Sequence, residues 1–265
     1  MPTNSRSYLF VPANRPERYA KALSSGSDSV IIDLEDAVPP ADKDGARASL
    51  VAWLSPEQPV LVRINAADTP WFAADCELAA LPGVAGIVLP KSDDPEVVGM
   101  LARAGKPVLP LIESATGFAR LDALAHADGV IRLIFGSIDF QADLGMRAEE
   151  DELLPFRLQL VLASRLANIA PPIDGVSTAL DNAERLYIDT RRAVRLGFSG
   201  KLCIHPQQVE AINRGFTPSA EEIAWAQRVI AADSHSGGAA VAVDGRMVDR
   251  PVVLRAQAIL HDARR

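Results

Sequence analysis

The chain has few of the residues that mark disulfide-rich, metal-cluster or dinucleotide-binding proteins. Its 265 residues include two cysteines, Cys76 and Cys203, too far apart in sequence for a disulfide framework or a cysteine metal cluster. Aromatic residues make up 5%, so the core must be mainly aliphatic. The turn at 136–139 lacks the glycine spacing of a dinucleotide-binding loop.

Excess positive charge and long apolar runs are also missing. The net charge is −7, which argues against nucleic acid or an anionic membrane as the main partner. An anionic ligand would therefore need a local basic pocket. The first twelve residues carry no apolar signal-peptide core, and no apolar run approaches membrane-spanning length. We expect a cytoplasmic protein that neither binds nucleic acid nor enters a membrane.

What the chain does have is a regular alternation of short apolar runs and helical segments. Eight runs are continuous in apolar residues, as strands buried on both faces are. They lie at 8–11, 30–34, 59–64, 86–89, 108–112, 133–135, 172–176 and 201–204. A βα unit repeated eight times over about 250 residues predicts an α/β fold of the (β/α)8 TIM-barrel type. A doubly wound open sheet is the alternative, and the count of eight disfavours it.

The residues that follow the eighth unit predict an additional piece. We expect the barrel to occupy 1–217 and a C-terminal extension to occupy 218–265. The extension is predicted as a helix at 219–232, a polar link at 233–238, a strand-like run at 239–243, a turn at Asp244-Gly245 and a helix at 251–263. Because the barrel does not need it, this extension is expected to pack on a neighbouring subunit or cover the barrel mouth. Within the barrel, a helix is predicted at 150–170, and Asp42 is predicted to cap the helix at 43–54.

Charged and polar residues follow almost every predicted strand. They are Asp33, Glu35, Asp36, Arg63, Asn65, Lys91, Glu113, Asp139 and His205. In a (β/α)8 barrel, the residues that perform chemistry lie at the carboxyl ends of the strands. We therefore expect all of these side chains to meet at one mouth.

Glu113 and Asp139 are the candidates for a metal site. They follow neighbouring predicted strands, and two carboxylates that leave the other positions to water and substrate suit Mg²⁺. The alternative is that each acid caps the helix after it, because an acid at a helix N-terminus is favourable. Taken singly, each is explained by the cap; together on adjacent strands, they favour the metal.

Arg63 and the turn at Gly136-Ser137 are the candidates for holding a substrate carboxylate. A guanidinium can hold a carboxylate through two parallel hydrogen bonds. Arg63 could instead form a salt bridge with the acids at 33–36, and the two roles are compatible. Backbone N–H groups in the turn can also receive an anion. His205 is assigned mainly a hydrogen-bonding role at its strand end, and Cys203 a place in the core.

Eight motifs in chain order give the sequence a specific family resemblance. They are RSYLFVP at 6–12, VIIDLEDAVPPADK at 30–43, VRINAADTPW at 62–71, GIVLPK at 86–91, LIESATG at 111–117, FGSIDFQADLG at 135–145, GFSGKLCIHPQQV at 197–209 and VDGRMVDRPVV at 243–253. Together they resemble the citrate lyase β-subunit-like (CitE-like) proteins of the HpcH/HpaI aldolase and citrate lyase superfamily. The resemblance runs over nearly the whole chain.

The resemblance implies a (β/α)8 barrel, commonly a homotrimer, that cleaves a C–C bond of a 3-hydroxyacyl-CoA thioester with Mg²⁺. It implies that Glu113 and Asp139 bind the metal and that Arg63 binds the substrate. These are the same residues that the strand ends select.

Further residues are assigned by the resemblance alone. Glu35 and Asp36 match acids near the metal and its waters, and Arg15 and Lys21 lie where relatives place basic groups for the CoA phosphates. Asp249 matches an acid that relatives bring from a neighbouring subunit, where it would protonate the enolate carbon. Its other interpretation is a cap for the helix that begins near Pro251.

One departure from the family pattern bears on the substrate. Many citrate lyase β subunits have Glu directly before the metal-binding Asp, whereas Ser137-Ile138 precede Asp139 here. The chain therefore resembles stand-alone relatives, and malyl-CoA, methylmalyl-CoA or citramalyl-CoA is the expected type of substrate. The alternatives are a citryl-CoA lyase, a class II 2-oxo-acid aldolase that acts without CoA, and a non-catalytic acyl-CoA binder.

Overall fold

Eight parallel strands close into a barrel in the first of two units of the chain. The computed structural model describes residues 4–147, 151–236 and 240–264, and the units are Met1–Asn213 and Arg214–Arg265. The barrel strands are β1 Ser7–Pro12, β2 Ser29–Asp33, β3 Val60–Arg63, β4 Val84–Leu89, β5 Val108–Ile112, β6 Arg132–Phe135, β7 Ala170–Asp174 and β8 Gly200–Cys203. Each strand pairs in parallel with the next, and β8 pairs with β1. The predicted (β/α)8 barrel is confirmed.

Helices connect the strands on the outside of the barrel. They are α1 Tyr19–Leu23, α2 Lys43–Trp53, α3 Phe72–Cys76, α4 Pro95–Ala102, α5 Ala115–Ala119, α6 Leu121–Ala125, α7 Ser137–Asp143, α8 Leu154–Leu166, α9 Ala183–Leu196 and α10 Val209–Phe216. Single 3₁₀ turns precede or extend several of them, at Pro16–Arg18, Pro40–Asp42, Glu77–Ala80 and Pro206–Gln208.

The barrel interior is filled by buried side chains from all eight strands. They include Tyr8, Ile31, Leu61, Val88, Leu109, Ile134, Ile173 and Leu202, none more than 3% exposed. This aliphatic packing explains why the strands are continuous apolar runs: the other face of each strand is also covered, by the helices. The interior is a packed core, so chemistry is confined to the ends of the strands.

Several predicted boundaries move for identifiable reasons. The helix predicted at 150–170 begins at Leu154, with Pro155 in its first turn, where proline is tolerated; residue 150 lies outside the described residues. Asp42 does not cap α2, because it already has helical backbone angles in the preceding 3₁₀ turn. Its side chain instead accepts a hydrogen bond from Asn14 at 3.2 Å.

The second unit is a helical pair with a hairpin between its helices. Its elements are α11 Ala220–Ser236, β9 Val241–Val243, β10 Arg246–Val248 and α12 Arg250–Asp262. The predicted link is wrong over 233–236, which are helical, and 237–239 lie outside the described residues. The predicted turn at Asp244-Gly245 is confirmed: both residues have positive φ, 52° and 74°, and join the two strands. The strand β10 is an addition to the prediction.

The second unit has an apolar cluster of its own. Buried side chains of α11, β10 and α12 form the cluster, namely Ala226, Val229, Val248, Val253 and Ala256.

Among the described residues, no helix is both long and apolar enough to cross a bilayer.

Arg132, at the start of β6, provides a test of the barrel's amino-terminal end. Its buried guanidinium donates to Ser5 O (2.9 Å), Tyr8 Oη (2.6 Å) and Pro171 O (2.6 Å). Arg132→Ala should lower the free energy of unfolding by about 3 kcal/mol, because these buried acceptors lose their donor. Urea unfolding followed by circular dichroism measures the loss. The exposed Arg103, changed to Ala, is the control, with an expected effect of about 0.5 kcal/mol or less; equal effects would contradict the prediction.

Candidate active site

The carboxyl ends of the strands surround a cavity of about 460 Å³. The strand register brings Asp33 beside Arg63 at the ends of β2 and β3, and Ile112 beside Phe135 at the ends of β5 and β6. We call this cavity the mouth cavity. Its polar side is formed by Asp33, Asp36, Arg63, Glu113, Gly136, Ser137 and Asp139. The structure therefore brings together most of the residues that the sequence selected.

Arg63 is held in one orientation by several partners. Its Nε and Nη2 donate to the two oxygens of Asp33 at 2.7 and 2.6 Å, and its Nη1 lies 2.8 Å from Glu35 Oε2. Nη1 is also 3.5 Å from Asp36, and the guanidinium stacks 4.8 Å from the ring centre of Phe10. Burial lowers the pKa of Arg63, but Asp33 and Glu35 more than compensate, so the group stays charged. The predicted salt bridge to the acids at 33–36 is therefore present, and the binding of a substrate carboxylate by Arg63 stays a prediction.

Glu35 is a buried acid between two cations. Its Oε2 approaches Arg63, and its Oε1 lies 3.5 Å from Lys91 Nζ. Both contacts are ion pairs, and neither oxygen accepts a hydrogen bond of good geometry among the described residues. Burial raises the pKa of Glu35 to about 7 against the lowering effect of Arg63, and Asp36 and Asp33 raise it further.

Glu113 follows β5 and is 3% exposed. Its Oε1 accepts a hydrogen bond from the backbone N–H of Lys91 at 2.8 Å. Burial raises its pKa to about 8; nearby Glu35 adds to the shift, and Asp139 contributes less. Gly136 is needed beside it, because a Cβ at that position would lie 2.6 Å from Glu113 Oε2.

Asp139 reaches the mouth cavity from a helix. It is the third residue of α7 and is exposed, and Glu113 and Asp139 line the same cavity. The first turn of a helix favours an acid, so the helix-terminus role and a ligand role are compatible at this position.

The donor set at this cavity fits a hard divalent cation. Glu113 and Asp139 offer carboxylate oxygens; burial is the main cause of the raised pKa of Glu113, and the nearby charge of Glu35 adds to it. Among the described residues, no group of three or more acidic, histidine or cysteine side chains is placed to hold a metal. The protein would supply two ligands and leave the other positions to water and substrate, as is usual for Mg²⁺.

The turn at Gly136-Ser137 corrects one predicted contact. The Gly136 N–H donates to Ile112 O at 2.9 Å, so it belongs to the strand ladder and is not directed to a substrate. Ser137 is the first residue of α7, and the first N–H groups of a helix have no partner within it. An anion at this turn would therefore meet the amides of Ser137 and Ile138.

Comparisons with known proteins show which family and which solved structures the chain is similar to. Residues 6–206 match the model of the HpcH/HpaI aldolase/citrate lyase family. The citrate lyase subunit beta-like protein of Mycobacterium tuberculosis (strain CDC 1551 / Oshkosh) is 38% identical over 97% of this chain and 94% of its own length. The citrate lyase subunit beta of Leuconostoc mesenteroides subsp. cremoris is 36% identical over 96% and 92%.

A solved structure matches the complete fold. It is the crystal structure of CitE from Mycobacterium tuberculosis in complex with magnesium, acetoacetate and coenzyme A. It has a TM-score of 0.88 and 36% identity, and covers 100% of both chains. The chain belongs to the HpcH/HpaI aldolase/citrate lyase family. This is a family of carbon–carbon lyases, and the chain is a CitE-like member of it.

In this CitE-like chain, the two basic residues predicted to bind the CoA phosphates do not both line the same cavity. A second cavity of about 400 Å³ is lined by Arg18, Lys21 and His205, whereas Arg15 is not among its lining residues. Arg15 is exposed and lies 3.7 Å from Glu17. Arg18 was not predicted to bind the CoA phosphates, although its position three residues before Lys21 on the same predicted helix could have indicated it.

Asp249 is located in the second unit, where it begins α12. Its Oδ1 accepts a hydrogen bond from the N–H of Val252 at 3.4 Å. The helix-cap interpretation is therefore confirmed, and its role at a neighbouring subunit's site stays a prediction.

Two lysines lie near the acids: Lys43 was not predicted at the site, and Lys91 was predicted to reach the mouth but was given no role there. Buried Lys43 donates to the carbonyls of Leu34 and Glu35, both at 2.7 Å, and so fixes the loop that carries Glu35. Lys91 contacts both Glu35 and Glu113. The sequence placed Lys91 at a strand end, but no local pattern indicates that its backbone would bind an acid.

Gly136→Ala tests whether Glu113 depends on the space beside it. The added methyl should displace the carboxylate and weaken Mn²⁺ binding by about tenfold or more. Titration of the purified protein with Mn²⁺, followed by electron paramagnetic resonance, measures the affinity without a substrate. Gly45→Ala on α2 is the matched control, since no atom lies within 4 Å of its Cβ position. Equal affinities for the two variants would contradict the prediction.

Proposed function

We propose that this protein cleaves a 3-hydroxyacyl-CoA thioester that has one free carboxylate, of the malyl-, methylmalyl- or citramalyl-CoA type. The products are a 2-oxo acid and an acyl-CoA, and the reaction requires Mg²⁺. The observation that carries the proposal is one cavity that holds Arg63, Glu113 and Asp139 together. The M. tuberculosis CitE structure, with magnesium, acetoacetate and coenzyme A, supports the same ligand classes for this chain.

The roles of the residues follow from their positions. Arg63, fixed by Asp33, binds the substrate carboxylate at the mouth. Glu113 and Asp139 would hold the magnesium ion, which supplies positive charge beside the substrate hydroxyl as it loses its proton. The first amides of α7 face the same carboxylate.

Bond cleavage follows from loss of the hydroxyl proton. The proton passes through water to Glu35, which shares the Arg63 guanidinium with Asp36. The electrons of the O–H bond form the carbonyl of the 2-oxo acid, and the C2–C3 bond breaks toward the thioester. Asp249 of a neighbouring protomer gives a proton to C2, which completes the acyl-CoA.

Charge in the mouth cavity favours a substrate with one free carboxylate over a citryl group. Arg63 is the only cation among the described residues that line the cavity, and it already faces Asp33, Glu35 and Asp36. The other walls are apolar, with Phe10, Leu111, Val176, Leu202 and Ile204. A second substrate carboxylate would be desolvated there without a partner, whereas a methyl group would fit.

The second cavity provides a place for the anionic part of coenzyme A. It shares Phe10, Pro12 and Ile204 with the mouth cavity and adds Arg18 and Lys21. In this proposal Lys21 and Arg18 bind phosphate groups of CoA, and exposed Arg15 contributes at longer range.

A panel of substrates tests the function. Malyl-, methylmalyl-, citramalyl- and citryl-CoA are incubated with Mg²⁺, and both the 2-oxo acid and any free CoA thiol are measured. We expect a 2-oxo acid without free thiol from one of the first three. EDTA should abolish the reaction, and Mg²⁺ should restore it. Glu113→Gln and Asp139→Asn should each reduce kcat by about 100-fold or more, since each removes a metal ligand.

Each alternative predicts a different outcome. Release of free thiol without a 2-oxo acid means thioester hydrolysis, and cleavage of free citramalate without CoA means a class II aldolase. Preference for citryl-CoA would make the protein a citryl-CoA lyase. Binding of the CoA thioesters without any product would make it a non-catalytic binder.

Asp249 can be tested separately from its cap. Asp249→Asn keeps an oxygen that caps α12, because Asn and Asp cap equally well, but it cannot donate the acid proton. We expect an unchanged melting temperature and a kcat lower by about 100-fold or more.

Mixed oligomers test whether Asp249 acts on a neighbouring protomer of a homotrimer. Subunits of Asp249→Asn and of Arg63→Ala are refolded together, and the mixed oligomers should regain part of the activity. No recovery in mixed oligomers would contradict the role between subunits.

A further inference from the structure

Lys91 has a backbone conformation that lysine rarely adopts. Its φ is +43°, and the other described non-glycine residues with positive φ are Asn168 and Asp244. Asn and Asp visit the left-handed region readily, but for most other side chains it carries a steric cost. Strain of this kind persists where the surrounding structure enforces it, and it is concentrated at functional sites.

The bonds around Lys91 show what enforces the conformation. Directly after it, Ser92 Oγ donates to Leu89 O at 2.8 Å, and Ser92 N donates to Leu111 O at 3.3 Å. These bonds tie the turn to the ends of β4 and β5. With the turn held in this way, the Lys91 N–H points at Glu113 Oε1, 2.8 Å away.

The side chain of Lys91 reaches a second acid of the site. Its Nζ lies 3.5 Å from Glu35 Oε1, while the other oxygen of Glu35 is paired with Arg63 at 2.8 Å. One residue therefore contacts Glu113 through its backbone and Glu35 through its side chain. The two buried acids come from different strands, β5 and β2, and Lys91 follows β4.

We propose that Lys91 is a positioning residue: its left-handed backbone aims the N–H that orients Glu113, and its ammonium orients Glu35. The inference rests on the proposed role of Glu113 as a metal ligand. Loss of a partner that orients a metal ligand typically lowers metal affinity by about 10- to 100-fold. The strained turn is then kept for the geometry of the metal site and not for the stability of the fold.

Two variants with the same charge isolate the backbone contribution. Lys91→Asn and Lys91→Val both remove the ammonium, but Asn tolerates positive φ and β-branched Val does not. Mn²⁺ binding to the substrate-free protein is measured by electron paramagnetic resonance. We expect Lys91→Val to bind Mn²⁺ about tenfold more weakly than Lys91→Asn or worse, since only Asn keeps the N–H directed at Glu113. Equal affinities would overturn the backbone part of the proposal.

A second pair of variants with smaller side chains tests the same point if Lys91→Val does not fold. Lys91→Gly accepts the left-handed conformation at no steric cost, whereas Lys91→Ala opposes it. Weaker Mn²⁺ binding by the Ala variant supports the proposal, and equal binding overturns it. A melting temperature of Lys91→Gly at or above that of the wild type would add that the strain does not serve stability.

The contribution of the Lys91 ammonium to catalysis is measured through kcat, with Lys91→Arg as the conservative variant. Lys91→Asn should lower kcat by about tenfold with little change in KM, since Glu35 acts in the chemical step. Lys91→Arg restores a cation near Glu35 and should recover most of kcat. Equal kcat in Lys91→Asn and wild type would overturn this part. If the wild type turns over none of the CoA thioesters, the proposed function fails, whereas the Mn²⁺ comparison still decides the role of Lys91.

Discussion

The buried ion pair between Arg63 and Asp33 is the interaction on which the site depends. Two parallel hydrogen bonds join the last residues of adjacent strands, so the pair is fixed by the barrel itself. Because the guanidinium is thereby charged and immobile, the buried acid Glu35 can pair with it, and the exposed Asp36 approaches it. A buried charge without such a partner would be costly. The cation that we propose to bind the substrate carboxylate is thus also the partner of the neighbouring acids.

Two buried acids near this ion pair have raised pKa values. The pKa of Glu113 rises to about 8 and that of Glu35 to about 7, mainly because both are buried. Glu35 and Asp139 raise the pKa of Glu113 further, and a divalent cation held by Glu113 and Asp139 would offset the repulsion between their carboxylates. Glycine at 136 and the strained backbone at Lys91 serve the same carboxylate, one by giving it room and the other by donating to it.

Many elements of this arrangement could be predicted from residues alone. The eight apolar runs predicted the strands because both faces of a parallel barrel strand are covered, and β5 was predicted to the residue. Charged residues after the strands predicted a shared mouth. The start of α8, the cap assigned to Asp42 and the link at 233–236 were wrong, since local patterns do not reveal how a preceding turn or a neighbouring helix continues the backbone.

The sequence by itself determined the barrel and the identity of the candidate acids and arginine, because hydrophobic period and strand-end position are local properties of the chain. The tertiary structure decided which atoms meet. It assigned the Gly136 N–H to the strand ladder, placed His205 in one cavity with Lys21, and turned the Lys91 backbone toward Glu113. Such contacts join residues from different βα units, and their geometry is set by strand register and turn conformation, which no single stretch of sequence specifies.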